Sequence, residues 1–229
     1  MSARGVLVEP VRLPTAGAML DGDLALPENP AGLVVFAHGS GSGRHSPRNR
    51  YVAATLQNVG LGTLLLDLLT PAEEELDRKS ARFRFDVRLL ASRLLGVTED
   101  LAADGRVGSL PIGFFGASTG AGAALLASAA WPEALRAVVS RGGRPDLAGG
   151  ALARVRAPTL LIVGGADVTV LELNREALQR IGASQKELRV IPGASHLFPE
   201  PGALEEVSRL AAEWFRTYLV ISDTQSRAM

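Results

Sequence analysis

A stretch without a single charged residue, covering residues 107–132, most constrains what this chain can fold into. It is longer than the roughly 20 apolar residues that cross a lipid bilayer. It also contains Pro111 and glycines at positions 108, 113, 116, 120 and 122, which would disrupt a continuous helix. The stretch therefore predicts a buried strand, a tight glycine turn and a buried helix in the core of a globular protein.

Strand and helix patterns alternate along most of the remaining chain. Short apolar runs, typical of strands buried on both faces, lie at residues 32–37, 62–67, 110–116, 135–140, 158–163 and 187–191. The segments between and after them are predicted to be helices, at 47–58, 82–103, 119–130, 146–153 and 170–181 and after Gly202. Residues 6–13 and 19–26 are predicted to pair as an antiparallel hairpin, and the polar segment 70–80 is predicted to be a loop.

This alternation predicts an α/β fold. We expect a single domain over residues 1–221, with an about eight-stranded, mostly parallel sheet, an N-terminal antiparallel hairpin and helices on both faces. Residues 222–229 have no apolar period and are predicted to be a disordered tail. The loops after the parallel strands share one edge of such a sheet, which is where ligands bind.

Composition narrows the expected partners. The 24 Lys and Arg residues balance 24 Asp and Glu residues, which gives no electrostatic reason to expect nucleic acid or an anionic membrane surface. The chain has no cysteine, so disulfides, thiolate metal ligands and a cysteine nucleophile are excluded. Its first residues lack the apolar core of a signal peptide, so we expect a cytoplasmic protein with no membrane partner. The sequence leaves open whether the chain forms a homo-oligomer.

The sharpest local motif is Gly116-Ala117-Ser118-Thr119-Gly120, which matches the G-x-S-x-G nucleophile elbow. In an elbow the serine occupies a strained turn between a strand and a helix that nearly touch, so the flanking residues must be small. The five-residue pattern is weak by itself, but here it follows a predicted strand and opens a predicted helix of small residues. Ser118 is therefore the candidate nucleophile.

A serine hydroxyl needs a neighbouring base to accept its proton. In proteins with such an elbow the acid and the histidine follow the serine along the chain, and of the three histidines only His196 does so. Asp167, which follows the strand at 158–163, is the candidate acid that orients the imidazole. Asp146 is the competing acid; Asp167 is favoured because it closes an apolar strand and a glycine turn, as triad geometry requires.

The oxyanion of an acyl-transfer intermediate needs backbone donors. The N–H of Thr119, directly after the nucleophile at a helix N-terminus, is one candidate. The loop His38-Gly39-Ser40-Gly41 supplies the second, for which we select the N–H of Ser40. We expect His38 to hold this loop by hydrogen bonds and to take no part in catalysis.

Arginines follow two of the predicted strands at the same edge, Arg44 and Arg48 in one loop and Arg141 and Arg144 in another. Guanidinium groups can clamp a carboxylate or phosphate of a substrate, and Arg44, Arg141 and Arg144 are the candidate substrate-binding residues. The alternative, and the more common role, is to fix the loops through ion pairs with Asp67, Asp86 or Asp146.

Together, the motifs at 38–41, 116–120, 164–167 and 193–196 resemble the α/β-hydrolase superfamily, most closely its small, lidless dienelactone-hydrolase-like branch. The resemblance covers about residues 6–219. It implies hydrolysis of an ester-type bond in a small molecule without a metal or an organic cofactor. Dienelactone hydrolases are known for a cysteine nucleophile, whereas this chain has Ser118, which favours carboxylesters or thioesters over lactones.

Two other functions remain open. One is a non-catalytic ligand-binding protein that kept the fold, because a fold alone does not establish an activity. Ligand binding that survives Ser118→Ala, without turnover, would indicate it. The other is an acyltransferase in which an alcohol replaces water, which product analysis with added alcohols would reveal.

Overall fold

The computed structural model describes residues 6–15 and 17–220. Within this part of the chain the strands are β1 (Leu7–Thr15), β2 (Ala18–Leu26), β3 (Leu33–Ala37), β4 (Gly62–Leu66), β5 (Ile112–Ala117), β6 (Leu135–Arg141), β7 (Thr159–Gly164) and β8 (Lys186–Ile191). The α-helices are α1 (Pro47–Asn58), α2 (Pro71–Ser80), α3 (Val87–Ala103), α4 (Thr119–Ala130), α5 (Val168–Arg180) and α6 (Ala203–Leu219). A 3-10 segment, Pro145–Arg154, follows β6. The tail predicted at 222–229 lies outside the described residues.

The strands form one eight-stranded sheet in the order β1-β2-β4-β3-β5-β6-β7-β8, counted over the described residues. β1 pairs antiparallel with β2, and β2 pairs antiparallel with β4. All further neighbours in this order, β4-β3-β5-β6-β7-β8, pair in parallel. The predicted mostly parallel sheet with an antiparallel N-terminal hairpin is thus confirmed. β3, β4, β5 and β7 are buried at every residue, because helices cover both faces of the sheet.

Two hydrophobic cores lie on opposite faces of the sheet. On one face α3 and α4 pack against the strands, with Leu94 and Leu125 fully buried. On the other face α1 and α6 pack through Val52, Val207 and Phe215. This double cover leaves the loops at the carboxyl edge of the parallel strands as the place where polar side chains can gather.

One segment differs from its prediction. Residues 70–80, predicted to be a loop, form α2 after the helix cap Thr70. Thr70 and Glu73 build a capping box, in which each side chain accepts a hydrogen bond from the backbone N–H of the other residue. Asp77 is the buried residue of this helix, so no apolar stripe marks the segment as helical.

The helix predicted from residue 82 begins later, at Val87. The turn before it is held by the buried Asp77, whose Oδ1 accepts hydrogen bonds from the N–H groups of Phe83 (2.6 Å) and Arg84 (3.1 Å). These contacts fix residues 83 and 84 outside the helix, which explains the late start.

Candidate active site

Ser118 lies at the sharp turn between β5 and α4. Its φ of 50° and ψ of −121° fall outside the regions that non-glycine residues favour, so the turn is strained. A Cβ on Gly120 would overlap the carbonyl oxygen of Ala37, and a Cβ on Gly116 would overlap the backbone of Ala121. Both glycines of the motif are therefore required by close backbone approach, as the elbow interpretation expects.

The loops after β7 and β8 bring Asp167 and His196 together. Asp167 Oδ2 lies 2.6 Å from His196 Nδ1, so the carboxylate accepts a hydrogen bond from the imidazole. The Ala166 N–H donates to the Ala194 carbonyl oxygen (2.9 Å) and ties the two loops to each other. The Asp167 side chain is 15% exposed and that of His196 is 38% exposed, which leaves the imidazole open on one side.

Asp146, the competing acid, has a different partner. The guanidinium group of Arg144 donates two hydrogen bonds to its carboxylate, at 2.8 and 2.7 Å. This fork engages both carboxylate oxygens. The structure thus pairs His196 with Asp167 and pairs Asp146 with an arginine.

The imidazole of His196 approaches the serine turn across the loop after β6. The N–H of Ser118 donates to the carbonyl oxygen of Arg141, the last residue of β6 (3.2 Å). The next residue is Gly142, where a Cβ would lie 3.5 Å from His196 Cε1. Ser118, His196 and Asp167 therefore share one end of the sheet.

His38 is buried, and both of its ring nitrogens are engaged. The Leu68 N–H donates to Nε2 (2.9 Å), so Nδ1 carries the proton and donates to the Gly39 carbonyl oxygen (2.9 Å). Burial lowers the pKa of His38 below its ordinary value, which keeps the imidazole neutral. These contacts fit the predicted role of holding the loop.

The two candidate oxyanion donors lie against each other. Thr119 is the first residue of α4, so its N–H has no acceptor within the helix. The N–H of Ser40, by contrast, donates to Thr119 Oγ1 (2.9 Å) and must exchange that hydroxyl for an oxyanion. Gly39 also lies at the candidate nucleophile, because a Cβ there would be 3.1 Å from Ser118 Cβ.

The three candidate substrate-binding arginines differ in their surroundings. Arg44 forms an ion pair with Asp67, which also accepts the Arg44 N–H (2.7 Å). Arg144 is the partner of Asp146, as described above. The side chain of Arg141 is buried instead, and its Nε and Nη1 have no hydrogen-bond partner in the part of the chain that the structure describes.

A cavity of about 180 Å³ lies against the 38–42 loop. Thr119 forms part of its wall, together with Leu69 and Leu90 from the α3 face of the sheet. Its rim carries charged side chains of α2 and the following turn, where Arg84 pairs with Asp77 (2.5 Å). Because α2 was not predicted from the sequence, this wall of the cavity was not predicted either.

Comparison with known proteins places this site in context. No family model matches the chain. It is 54% identical to a dienelactone hydrolase from Anabaena variabilis, whose crystal structure it matches with a TM-score of 0.92, over 94% of this chain and 100% of that one. An α/β serine hydrolase without a lid, from Xanthomonas campestris, shares the fold at 20% identity, with a TM-score of 0.74 over 94% of this chain and 96% of that chain.

The chain is also 57% identical over 211 residues to putative phosphoribosyl transferases of Mycobacterium tuberculosis. The match takes in 92% of this chain but 46% of those proteins, so the chain spans about half the length of these curated relatives. Between residues 6 and 220, Ala16 aside, no helix has both the length and the apolar character needed to cross a membrane.

Proposed function

Because the chain belongs to the dienelactone-hydrolase-like family of α/β-hydrolases, we propose that it is a serine hydrolase that cleaves carboxylester or thioester bonds. The observation that carries this proposal is the 2.6 Å hydrogen bond between Asp167 Oδ2 and His196 Nδ1, at the end of the sheet where Ser118 occupies its strained turn. An acid, an imidazole and a serine in this arrangement are the components of an acyl-enzyme mechanism.

In this mechanism Ser118 Oγ attacks the substrate carbonyl carbon while His196 Nε2 accepts the hydroxyl proton. Asp167 holds the imidazole in the required tautomer and stabilises the imidazolium. The carbonyl oxygen becomes an oxyanion that accepts a hydrogen bond from the Thr119 N–H. Its collapse expels the alcohol or thiol, which leaves with the proton from His196.

Water then completes the reaction. His196 removes a proton from the water molecule that attacks the acyl-enzyme, and returns it to Ser118 Oγ as the carboxylic acid departs. The cavity beside Thr119 measures about 180 Å³, which is smaller than the 300–1,000 Å³ of drug-sized pockets. Its size favours a short acyl or alcohol group on that side of the ester.

Covalent labelling tests the nucleophile directly. We expect a fluorophosphonate probe to label the wild-type protein with one-to-one stoichiometry and Ser118→Ala not at all, because the serine hydroxyl is the attacking group. Intact-protein mass spectrometry measures the adduct, and hydrolysis of p-nitrophenyl acetate measures the activity. Ser92→Ala, at an exposed position of α3 away from the cavity, is the control and keeps both.

A wild-type protein that neither labels nor turns over any short acyl ester would overturn the proposal. Ligand binding without turnover would then indicate a non-catalytic binding protein. Methyl ester formation in the presence of methanol, in preference to the free acid, would indicate an acyltransferase that uses the same residues.

The mycobacterial relatives that are named as phosphoribosyl transferases are about twice as long as this chain. We propose the hydrolase activity for the half that this chain matches.

A further inference from the structure

Arg141 and Arg48 are charged groups that the proposed mechanism does not use. Arg141 ends β6, in register with Ala117 of β5. Val139 and Ala137, which precede it on the same side of the strand, belong to the core beneath α1 and α6. Strand alternation therefore directs the Arg141 side chain to that face, past the core at the carboxyl edge. Arg48 is the second residue of α1, and α1 packs on this same face of the sheet.

Neither guanidinium group is satisfied within the described chain. Nε and Nη1 of Arg141, and Nε of Arg48, are shielded from solvent and make no hydrogen bond to any described residue. Arg141 is 7% exposed as a whole residue. An ionised group buried without a partner is strongly unfavourable unless some other molecule supplies the acceptors.

The neighbouring arginines are each paired with a carboxylate: Arg44 with Asp67, Arg50 with Asp23, and Arg144 with Asp146. Among the described residues, the two positive charges on Arg48 and Arg141 are left without such a carboxylate. Burial, together with the nearby charge of Arg48, lowers the pKa of Arg141 to about 10, so the Arg141 side chain stays charged at neutral pH. The first turn of α1 contains no acidic residue, and the helix dipole adds to the positive potential.

From this juxtaposition we propose that Arg141 and Arg48 form an anion subsite that binds a phosphate monoester group of the substrate. Arg141 lies next to the proposed nucleophile, because the N–H of Ser118 donates a hydrogen bond to the Arg141 carbonyl oxygen (3.2 Å). A phosphate group with two negative charges neutralises both arginines and accepts hydrogen bonds from both guanidinium groups. A carboxylate has one negative charge and neutralises only one arginine. The inference rests on the proposed function and names its substrate class: esters of small phosphorylated molecules.

The two sides of the nucleophile then have different tasks. The cavity beside Thr119 lies on the face of α3 and takes a short group. The arginine pair lies on the face of α1 and α6 and takes the charged group. An ester held across Ser118 would present its carbonyl carbon between them.

Binding of inorganic phosphate tests the subsite without any turnover. At pH 8 and matched ionic strength, we expect phosphate to raise the thermal unfolding midpoint of the wild-type protein more than acetate does. Arg141→Met and Arg48→Met should abolish the difference. Arg136→Met is the matched control, since Arg136 is an exposed residue at the opposite end of β6, and it should keep the difference.

Paired esters test the same subsite during catalysis. We expect wild-type kcat/KM to be higher for 2-acetoxyethyl phosphate than for ethyl acetate, and Arg141→Met to reduce that ratio about 10- to 100-fold, the value of a charge-assisted hydrogen bond. Hydrolysis of ethyl acetate should change little. The midpoint of Arg141→Met without phosphate should be no lower than that of the wild type, because the substitution removes an unpaired buried charge.

The outcomes separate the subsite from the hydrolase. Equal loss on both esters, or a sharply lowered midpoint with unchanged phosphate preference, would show that Arg141 is structural and would overturn the subsite while the hydrolase stands. A preference for acetate over phosphate would also overturn it, in favour of a carboxylate site. Phosphate binding that depends on both arginines supports the subsite even if no ester is turned over, in which case the hydrolase proposal alone fails.

Discussion

Replacement of Asp167 by asparagine is expected to lower kcat for p-nitrophenyl acetate by about 10⁴-fold. The 2.6 Å hydrogen bond to His196 Nδ1 fixes which imidazole nitrogen carries the proton. An asparagine amide can turn its NH₂ group to Nδ1, which would then accept a hydrogen bond and leave the proton on Nε2. The imidazole could no longer take the proton of Ser118, and the negative charge that stabilises the imidazolium would also be lost.

Asp146→Asn is the matched control for this variant. Asp146 accepts both of its strong hydrogen bonds from Arg144, and this ion pair is partly exposed. A pair of that kind contributes about 0–1 kcal/mol to stability, so kcat should stay close to the wild-type value. Steady-state kinetics and a fluorophosphonate labelling rate on both variants measure the contrast. A larger loss for Asp146→Asn than for Asp167→Asn would identify Asp146 as the acid.

The choice between these two aspartates shows how much of the candidate site could be predicted from the sequence. Sequence order and the strand-turn pattern favoured Asp167 over Asp146, since chain order and local hydrophobicity are properties of the sequence itself. The pairing of Asp146 with Arg144 depends on the path of the 3-10 segment after β6, which leaves little mark in the sequence. The competing acid could therefore be disfavoured from the sequence, but its actual partner required the structure.

Dependence on the folded structure also explains why α2 and the partners of the arginines were not predicted. Parallel strands buried on both faces give apolar runs, and these were predicted well, but α2 is mostly exposed, with Asp77 as its buried residue, and carries a capping box as its main signal. Thr70 and Glu73, three residues apart with Pro71 between them, could have revealed it. The position of the arginines at this edge of the sheet could be predicted from the strand pattern. That Arg141 Nε and Nη1 find no partner among the described residues depends on which side chains the fold brings together.

Glutamine substitution of the two histidines at the carboxyl edge is expected to lower kcat to very different extents. His196→Gln should lower kcat by about 10³- to 10⁴-fold, because no base remains to accept the Ser118 proton. His38→Gln should lower it less than about tenfold, the effect of weakening one loop hydrogen bond. A glutamine amide can still accept the Leu68 N–H, which His38 Nε2 accepts in the wild type at 2.9 Å.

Stability at acid pH gives an independent readout for His38. Its pKa in the folded protein is lowered by burial from the ordinary value of 6.5, so the unfolded chain takes up a proton first as the pH falls. The contribution of His38 to the free energy of unfolding is therefore intact above about pH 6.5 and decreases below it. Urea unfolding at pH 7.5 and pH 5 should show a smaller loss of stability in His38→Gln than in the wild type. If that variant instead lost activity to the same extent as His196→Gln, with its stability unchanged, His38 would have to be assigned a catalytic role.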